Sequence, residues 1–185
     1  MTKPCLVLYA SQHGHVRKIA LRIAQRLREA GLGVVVADLA DGSAIDVEDY
    51  GLVVAGGAIH AGRHPRALRR WLADRAPALN ARPTAVFSVS LAAADPAPAT
   101  KAATEAQLDG LLAEAGVVPV CRACFGGALQ YREYGWPTRW LMRRIARKQG
   151  LPTDVSQDVD FTDWDAVDRF AARTGSVAPA GALVR

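Results

Sequence analysis

The sequence predicts an α/β protein whose parallel sheet is covered by helices on both faces. Two observations point to this class: short apolar runs recur along the chain, and segments with apolar residues at helical spacing lie between them. A third is length, since 185 residues, half of them hydrophobic, suit one domain with a sizeable core. Because crossover connections between parallel strands are right-handed, five strands in this rhythm suit the order 2-1-3-4-5.

The elements follow in order. The predicted strands cover residues 5–10, 33–38, 52–55, 84–89 and 117–125, and the predicted helices run from about 16 to 31, 65 to 76, 100 to 115 and 163 to 173. In the predicted strand order, a ligand lies at the carboxyl ends of strands 1, 3 and 4.

One domain, covering residues 1–175, is predicted, with a frayed tail at 176–185 that is rich in Ala, Gly and Pro. Two segments interrupt the regular alternation: a loop at about 90–99 and a long insertion at about 130–160. No apolar run approaches the roughly 20 residues of a membrane-spanning helix, and no signal peptide is recognisable. The expected location is therefore the cytoplasmic side.

Charge and cysteine content narrow the function. The formal net charge is +5 and the pI about 9.4, which favours an anionic partner: membrane lipid, nucleic acid or an acidic substrate. Cys121 and Cys124 form a C-x-x-C on a predicted strand, where residues three apart point to opposite faces. Buried core residues are therefore favoured over a redox or metal pair.

The loop after the first strand carries the first candidate site. Ser11, Gly14 and the helix that follows can cradle a phosphate, because amides at a helix start point at the anion. The loop is neither G-x-G-x-x-G nor a Walker A motif, which argues against a dinucleotide or a P-loop nucleotide. An ordinary strand-to-helix turn is the alternative interpretation.

The chain also resembles a known family. The matching stretches are Ser11-Gln-His-Gly-His-Val-Arg-Lys-Ile-Ala20, Tyr50-Gly-Leu-Val-Val-Ala-Gly-Gly-Ala-Ile59, Phe87-Ser-Val-Ser-Leu-Ala92, Gly126-Gly-Ala-Leu-Gln-Tyr131 and Phe161-Thr-Asp-Trp164. The first is shared by flavodoxins generally, and the last two are more particular. Together they resemble the flavodoxin-like, menaquinone-dependent protoporphyrinogen oxidases of bacterial haem synthesis, over nearly the whole chain.

The resemblance implies a flavodoxin-like fold with FMN held by three loops. The implied FMN-binding residues are Ser11, Gln12, His13, Gly14, His15 and Val16, then Ala58, Ile59, His60, Ala61 and Gly62, then Ser88, Val89, Ser90, Leu91, Ala92, Ala93 and Ala94. Two positions depart from the pattern: Val16 replaces a threonine whose hydroxyl would bond the phosphate, and Ala61 replaces an aromatic residue. Both changes predict weaker FMN binding, since a hydrogen bond to a charged group contributes about 1.5–3 kcal/mol.

The implied activity is oxidation of protoporphyrinogen IX to protoporphyrin IX, with hydride passing to FMN and electrons then passing to menaquinone or another membrane quinone. No side chain is predicted as a catalytic acid or base, which agrees with a mechanism run mainly by flavin. No metal site is predicted, because the loops that carry the histidines lack acidic or thiol partners. Two alternatives stay open. One is an electron-transfer flavodoxin without its own small substrate, and the other is a membrane-associated domain that has lost FMN.

The four histidines, His13, His15, His60 and His64, all lie in or after the loops of strands 1 and 3. Because those strands are predicted neighbours, all four are expected around one crevice. They are interpreted as donors to the phosphate or to solvent. The alternatives are that His13 or His60 tunes the reduced flavin, or that the group binds a metal.

The insertion is strongly basic and aromatic. Its candidate substrate or membrane residues are Tyr131, Arg132, Trp136, Arg139, Trp140, Arg143, Arg144 and Arg147. A basic helix with Trp and Leu is typical of a membrane-surface helix, which places the protein on the inner face of the cell membrane. Arginines and aromatic rings also suit a flat substrate edged with carboxylates. A solvated helix packed on the domain is the remaining alternative, and a nucleic-acid patch is disfavoured.

Overall fold

The computed structural model describes residues 3–42, 45–129 and 158–179. Its strands are β1 (Cys5–Ala10), β2 (Val34–Asp38), β3 (Leu52–Ala58), β4 (Thr84–Ser90), β5 (Cys121–Gly126), β6 (Ala128–Leu129) and β7 (Val159–Asp160). Its α-helices are α1 (His15–Glu29), α2 (Arg66–Asp74), α3 (Ala76–Asn80), α4 (Pro98–Ala115) and α5 (Trp164–Ser176). Within these ranges no helix is long and apolar enough to cross a membrane.

The main sheet has five parallel strands in the order β2-β1-β3-β4-β5, which confirms the predicted topology. β6 and β7 form a separate antiparallel pair, in which Ala128 faces Asp160 and Leu129 faces Val159. This pair brings together the two segments that flank residues 130–157.

A hydrophobic core lies on each face of the main sheet. Along β1 the side chains alternate, so that Cys5 and Val7 pack towards α1 and α5, and Leu6 and Leu8 pack towards α2 and α4. All four are fully buried, as expected for a central strand of a parallel sheet covered on both faces. The apolar residues at helical spacing along α1 are likewise all buried: Val16, Ile19, Ala20, Ile23, Ala24 and Leu27.

Two predicted elements end differently in the structure. The helix predicted for 65–76 stops at Asp74 and a separate α3 begins at Ala76. Pro77 explains the break, because proline lacks the amide that would bond Ala73 and its ring clashes with that carbonyl. The strand predicted for 117–125 begins only at Cys121. Residues 117–120 form an irregular connection after α4, and Pro119 has no amide to donate to a ladder there.

The cysteines are core residues, as predicted. Cys121 packs in the core beside α1 and α5, and Cys124 packs against the opposite core. Burial raises the pKa of the Cys124 thiol to about 11 and that of Cys5 to about 12. Thiols held this way are poor nucleophiles at neutral pH, which argues against a redox pair.

An ion-pair cluster joins α1 to α5. The Asp168 carboxylate accepts from Arg22 Nε at 2.7 Å and from Arg26 Nη2 at 2.5 Å. These guanidinium hydrogen bonds hold the pKa of Asp168 well below its usual range. A carboxyl whose folded pKa is lowered stabilises the fold above its unfolded pKa, and that stability is lost as pH falls below about 4.

Asp168→Asn is therefore expected to lower the free energy of unfolding by about 1–2 kcal/mol at pH 7, and the deficit should shrink as pH falls towards 3. Urea unfolding of both proteins at several pH values measures this. Glu29→Gln is the control, because Glu29 bonds the same Arg26 on an exposed surface and should matter far less. A deficit that is constant with pH would contradict the ion-pair account.

Candidate functional site

A cleft of about 380 Å³ opens at the carboxyl edge of the main sheet. It lies where β1, β3 and β4 end, which is the place that the strand order predicts for a ligand. Its lining residues are Ser11, Gln12, His13, His15, Val16, Ala58, Ile59, His60, Ala61, Val89, Ser90, Leu91, Ala92, Gln107, Gly127 and Ala128. Thirteen of these residues were predicted from the sequence for the site, and the three that were not are Gln107, Gly127 and Ala128.

The first loop presents the start of α1 to the cleft. Gly14 adopts a left-handed conformation with φ 81°, and its amide donates to Ser11 Oγ at 3.0 Å. The first intrahelical bond runs from the Lys18 amide to the Gly14 carbonyl. The three amides before Lys18 have no intrahelical partner, and no side chain caps this helix. No acidic residue occupies the first turn, so no side chain of α1 itself compensates the positive end of the helix dipole there.

The second loop is a tight turn from His60 to Arg63. The His60 amide donates to the Arg63 carbonyl at 2.9 Å, and the Arg63 amide donates back to His60 at 3.0 Å. Both central residues have positive φ, 49° at Ala61 and 76° at Gly62, which is the pattern of a type I′ turn. Ala61 is sterically strained in this conformation and a glycine would not be, because the alanine Cβ crowds the next carbonyl oxygen.

Ala61→Gly is expected to raise the free energy of unfolding by about 0.5–1 kcal/mol by relieving this strain. Thermal or urea unfolding measures it. Ala172→Gly is the control, since this exposed alanine lies within α5 and the same substitution there should destabilise by about 1 kcal/mol. Destabilisation by both changes would show that the Ala61 backbone is unstrained.

The third loop leaves β4 and runs along the opposite wall of the cleft. The Ser90 hydroxyl accepts from the Ala93 amide at 3.1 Å, and the Gly127 amide donates to the Ser90 carbonyl at 3.0 Å. Leu91 and Ala92 line the cleft, but Ala93 and Ala94 line a separate hollow of about 420 Å³ on the other side of the loop. Gly127 was missed as a lining residue, although the Gly126-Gly127 pair signals a close backbone approach.

Three of the four histidines lie in the cleft. The rings of His13 and His60 meet edge to face with centroids 6.1 Å apart, joining the first and second loops. Burial lowers the pKa of His60, and the neighbouring His13 adds to the effect. His15 lies at the start of α1 with 7% exposure. No Asp, Glu, Lys or Arg is among the lining residues that the structure describes, so imidazoles are the ionisable groups there.

The expectation for His64 is wrong. This histidine is buried behind the cleft, where its Nε2 lies 3.0 Å from Ser88 Oγ. Burial, reinforced by the charge of Arg69, lowers the pKa of His64 to about 4, so the ring is neutral. Ser88 is itself 1% exposed and does not line the cleft. The pair ties the second loop to β4, a tertiary contact that sequence spacing does not reveal.

The remaining predicted residues fall into two groups. Gly14 and Gly62 shape their turns without lining the cleft. The insertion residues Tyr131, Arg132, Trp136, Arg139, Trp140, Arg143, Arg144 and Arg147 lie outside the described residues. Among those described, no group of three or more His, Cys, Asp or Glu side chains is arranged to hold a metal.

Comparison with known proteins first defines the class. A family model for the flavodoxin domain matches residues 6–156. Oxidised flavodoxin 1 from Bacillus cereus aligns with 95% of this chain and 99% of its own, with a TM-score of 0.59 and 19% identity. A short-chain flavodoxin associated with a bacterial microcompartment aligns with 97% and 100%, with a TM-score of 0.58 and 13% identity. These likenesses establish the flavodoxin fold.

Curated relatives then give the family. Protoporphyrinogen IX dehydrogenase (quinone) of Escherichia coli K12 is 32% identical over 166 residues, covering 90% of this chain and 91% of the relative. The protein of the same name from Leishmania major is 33% identical over 169 residues, covering 91% and 73%. The chain belongs to the flavodoxin-domain family that includes these dehydrogenases, and FMN is the cofactor that membership of this family indicates.

Proposed function

We propose that this protein is an FMN-dependent dehydrogenase that oxidises protoporphyrinogen IX to protoporphyrin IX and passes the electrons to a quinone. The observation that carries the proposal is the 32% identity to the Escherichia coli protoporphyrinogen IX dehydrogenase (quinone), which extends over 90% of the chain. The same alignment spans 91% of that relative, so it is not limited to a shared subdomain.

The cleft fits FMN in size and in chemistry. Its volume of about 380 Å³ lies within the range of small-molecule sites. One end holds the uncapped start of α1, which suits a phosphate, and the rest is lined largely by apolar side chains, among them Ile59, Val89 and Leu91. The absence of carboxylates among the described lining residues also favours an anionic ligand.

In this proposal each loop has its own task. The first loop holds the phosphate through backbone amides, because Val16 is 3% exposed and has no hydroxyl to offer. The second and third loops flank the flavin ring system through Ile59, His60 and Leu91. Ala61 provides no ring to stack on the flavin, which leaves that face of the cleft open to a flat second molecule.

Bound in the cleft, FMN supplies the two-electron chemistry, and oxidation of a porphyrinogen to a porphyrin requires three such oxidations. The protein's part is to orient the substrate and to keep it against the flavin. We assign the binding of substrate carboxylates, or of an anionic membrane surface, to the basic residues of the insertion. Arginine pairs with carboxylates in a bidentate manner, and each basic residue near an anionic leaflet contributes about 1 kcal/mol.

The proposed location is the inner face of the cell membrane, as a peripheral protein. A quinone dissolved in the bilayer is reached most simply by a protein that rests on its surface. The formal net charge of +5 supports attraction to anionic lipid.

A steady-state assay tests the proposal. Protein loaded with FMN is supplied anaerobically with protoporphyrinogen IX and a menaquinone analogue, and porphyrin fluorescence is followed. The expected result is formation of protoporphyrin that requires both protein and quinone, well above the rate with free FMN. Porphyrin formation no faster than with free FMN would refute it. Electron transfer to a protein partner without porphyrinogen oxidation would instead support an electron-transfer flavodoxin.

A further inference from the structure

His15 occupies an unusual position, since it is both the first residue of α1 and part of the cleft lining. Its side chain is buried, with 7% exposure, and its ring packs edge to face against Trp164 with centroids 6.3 Å apart. A buried imidazole beside the unpaired amides of a helix start is placed to respond to any anion that binds them.

The hydrogen bonds of Thr162 determine which ring nitrogen of His15 carries the proton. The Thr162 hydroxyl donates to the Gly126 carbonyl at 2.9 Å, so its single proton is already used. Its Oγ1 also lies 2.8 Å from His15 Nε2 and must accept there, which places a proton on Nε2. In the neutral ring Nδ1 is then unprotonated, and no hydrogen bond to it is found among the described residues.

The charges around His15 are few. Asp160 of β7 lies with Oδ1 3.6 Å from His15 Nε2, and the Thr162 amide fixes that carboxylate by donating to it at 2.9 Å. The Asp160 charge raises the pKa of His15, whereas the charge of Lys18 on α1 lowers it. Burial is the largest influence and lowers the pKa of His15, so the ring is neutral near pH 7 when no anion is bound. His13 and His60 are the other titratable groups of the cleft.

We propose that His15 binds a proton at Nδ1 when a phosphate-bearing ligand occupies the start of α1, so that its imidazolium adds a positive charge and a hydrogen-bond donor, which the Val16 side chain does not have. The proposal rests on the proposed FMN site. The surrounding groups accommodate both the neutral and the protonated ring of His15. The Nε2 hydrogen bond to Thr162 persists in both, and Asp160 forms an ion pair with the charged ring. His15 thereby becomes a phosphate-sensing residue of the first loop.

The sign of the pH dependence follows from linkage. A bound phosphate raises the pKa of His15. Ligand binding therefore takes up a proton at any pH between the pKa of His15 in the free protein and its pKa in the complex. Affinity therefore falls as pH rises through this window, by up to about tenfold per pH unit. Measurements are confined to pH 6.5–8.5, because the phosphate itself titrates near pH 6.

The test compares FMN with riboflavin, which lacks the phosphate, by fluorescence titration of the whole protein. FMN affinity is expected to fall by about fivefold or more from pH 6.5 to 8.5, whereas riboflavin affinity should stay within about twofold. His15→Gln keeps a donor for Thr162 but cannot titrate, and should abolish the FMN slope. The double variant His13→Gln/His60→Gln is the matched control and should keep the pH dependence of FMN affinity.

A second measurement uses the protein without any substitution. Nitrogen-15 shifts of the histidine rings should show His15 as the Nε2-protonated tautomer in the free protein. Addition of FMN, or of inorganic phosphate at high concentration, should convert it to the doubly protonated ring at pH 7.

The outcomes separate the two proposals. FMN binding with a pH slope that His15→Gln leaves unchanged, or a His15 ring that stays neutral with FMN bound, overturns the inference and leaves the FMN site intact. Failure of both FMN and riboflavin to bind overturns both proposals.

Discussion

Replacing Gly56 by alanine is expected to lower the free energy of unfolding by about 3 kcal/mol or more. A Cβ at this β3 position would collide with three carbons of the Phe87 ring. Phe87 is fully buried and packed between Phe125 and Phe170, with ring centroids 5.9 and 6.3 Å away. Because the core on this face is closed, the ring has no space into which it can move.

Urea unfolding, or the yield of folded protein if the variant does not survive purification, measures this effect. Gly110→Ala is the matched control, since it adds the same methyl group within α4, where nothing lies within 4 Å of the new Cβ. It should stabilise by up to about 1 kcal/mol, because alanine is the better helix former. Equal effects at both positions would contradict the packing account.

Ala92→Trp is expected to weaken FMN binding by about 100-fold or more, because its side chain would fill much of the cleft at the third loop. Ala92 lines the cleft in the short 3₁₀ turn after β4, and it is only partly buried, so a larger side chain has somewhere to go without unfolding the sheet. Absorption or fluorescence titration with FMN measures the affinity.

The next residue provides the control for this prediction. Ala93 lies in the same turn with similar burial, but it lines the separate hollow rather than the cleft. Ala93→Trp should therefore leave FMN affinity within about threefold, with both variants checked by thermal unfolding. If Ala93→Trp weakens FMN more than Ala92→Trp does, the flavin is bound on the other side of the loop.

Much of the fold was predictable because its signals are local. The apolar run of β1 and the helical spacing in α1 gave the bounds of these elements to within two residues, and the rhythm of strands and helices gave the strand order. The misplaced start of β5 and the break before α3 both involve a proline within an otherwise regular pattern. Their effect depends on neighbouring backbone bonds that a hydrophobic pattern does not contain.

The site was predictable where it depends on loops that follow strands, and unpredictable where it depends on tertiary contacts. The strand order alone places the loops after β1, β3 and β4 together. It does not show that His64 turns inwards to Ser88, or that Thr162 reaches His15 from 147 positions away in the sequence. Those contacts depend on side-chain directions at the ends of elements, which follow from packing rather than from sequence spacing.

The proposed function requires that a flavin bound by this protein takes electrons directly from a porphyrinogen. Because complete oxidation requires three two-electron steps and each FMN accepts one electron pair, protoporphyrinogen IX is mixed anaerobically with at least three equivalents of FMN-loaded protein, and the absorption spectrum is followed. The oxidised-flavin bands are expected to disappear as protoporphyrin bands appear, and to recover when a quinone is added. Oxidised-flavin bands that remain unchanged in the presence of protoporphyrinogen IX would contradict it.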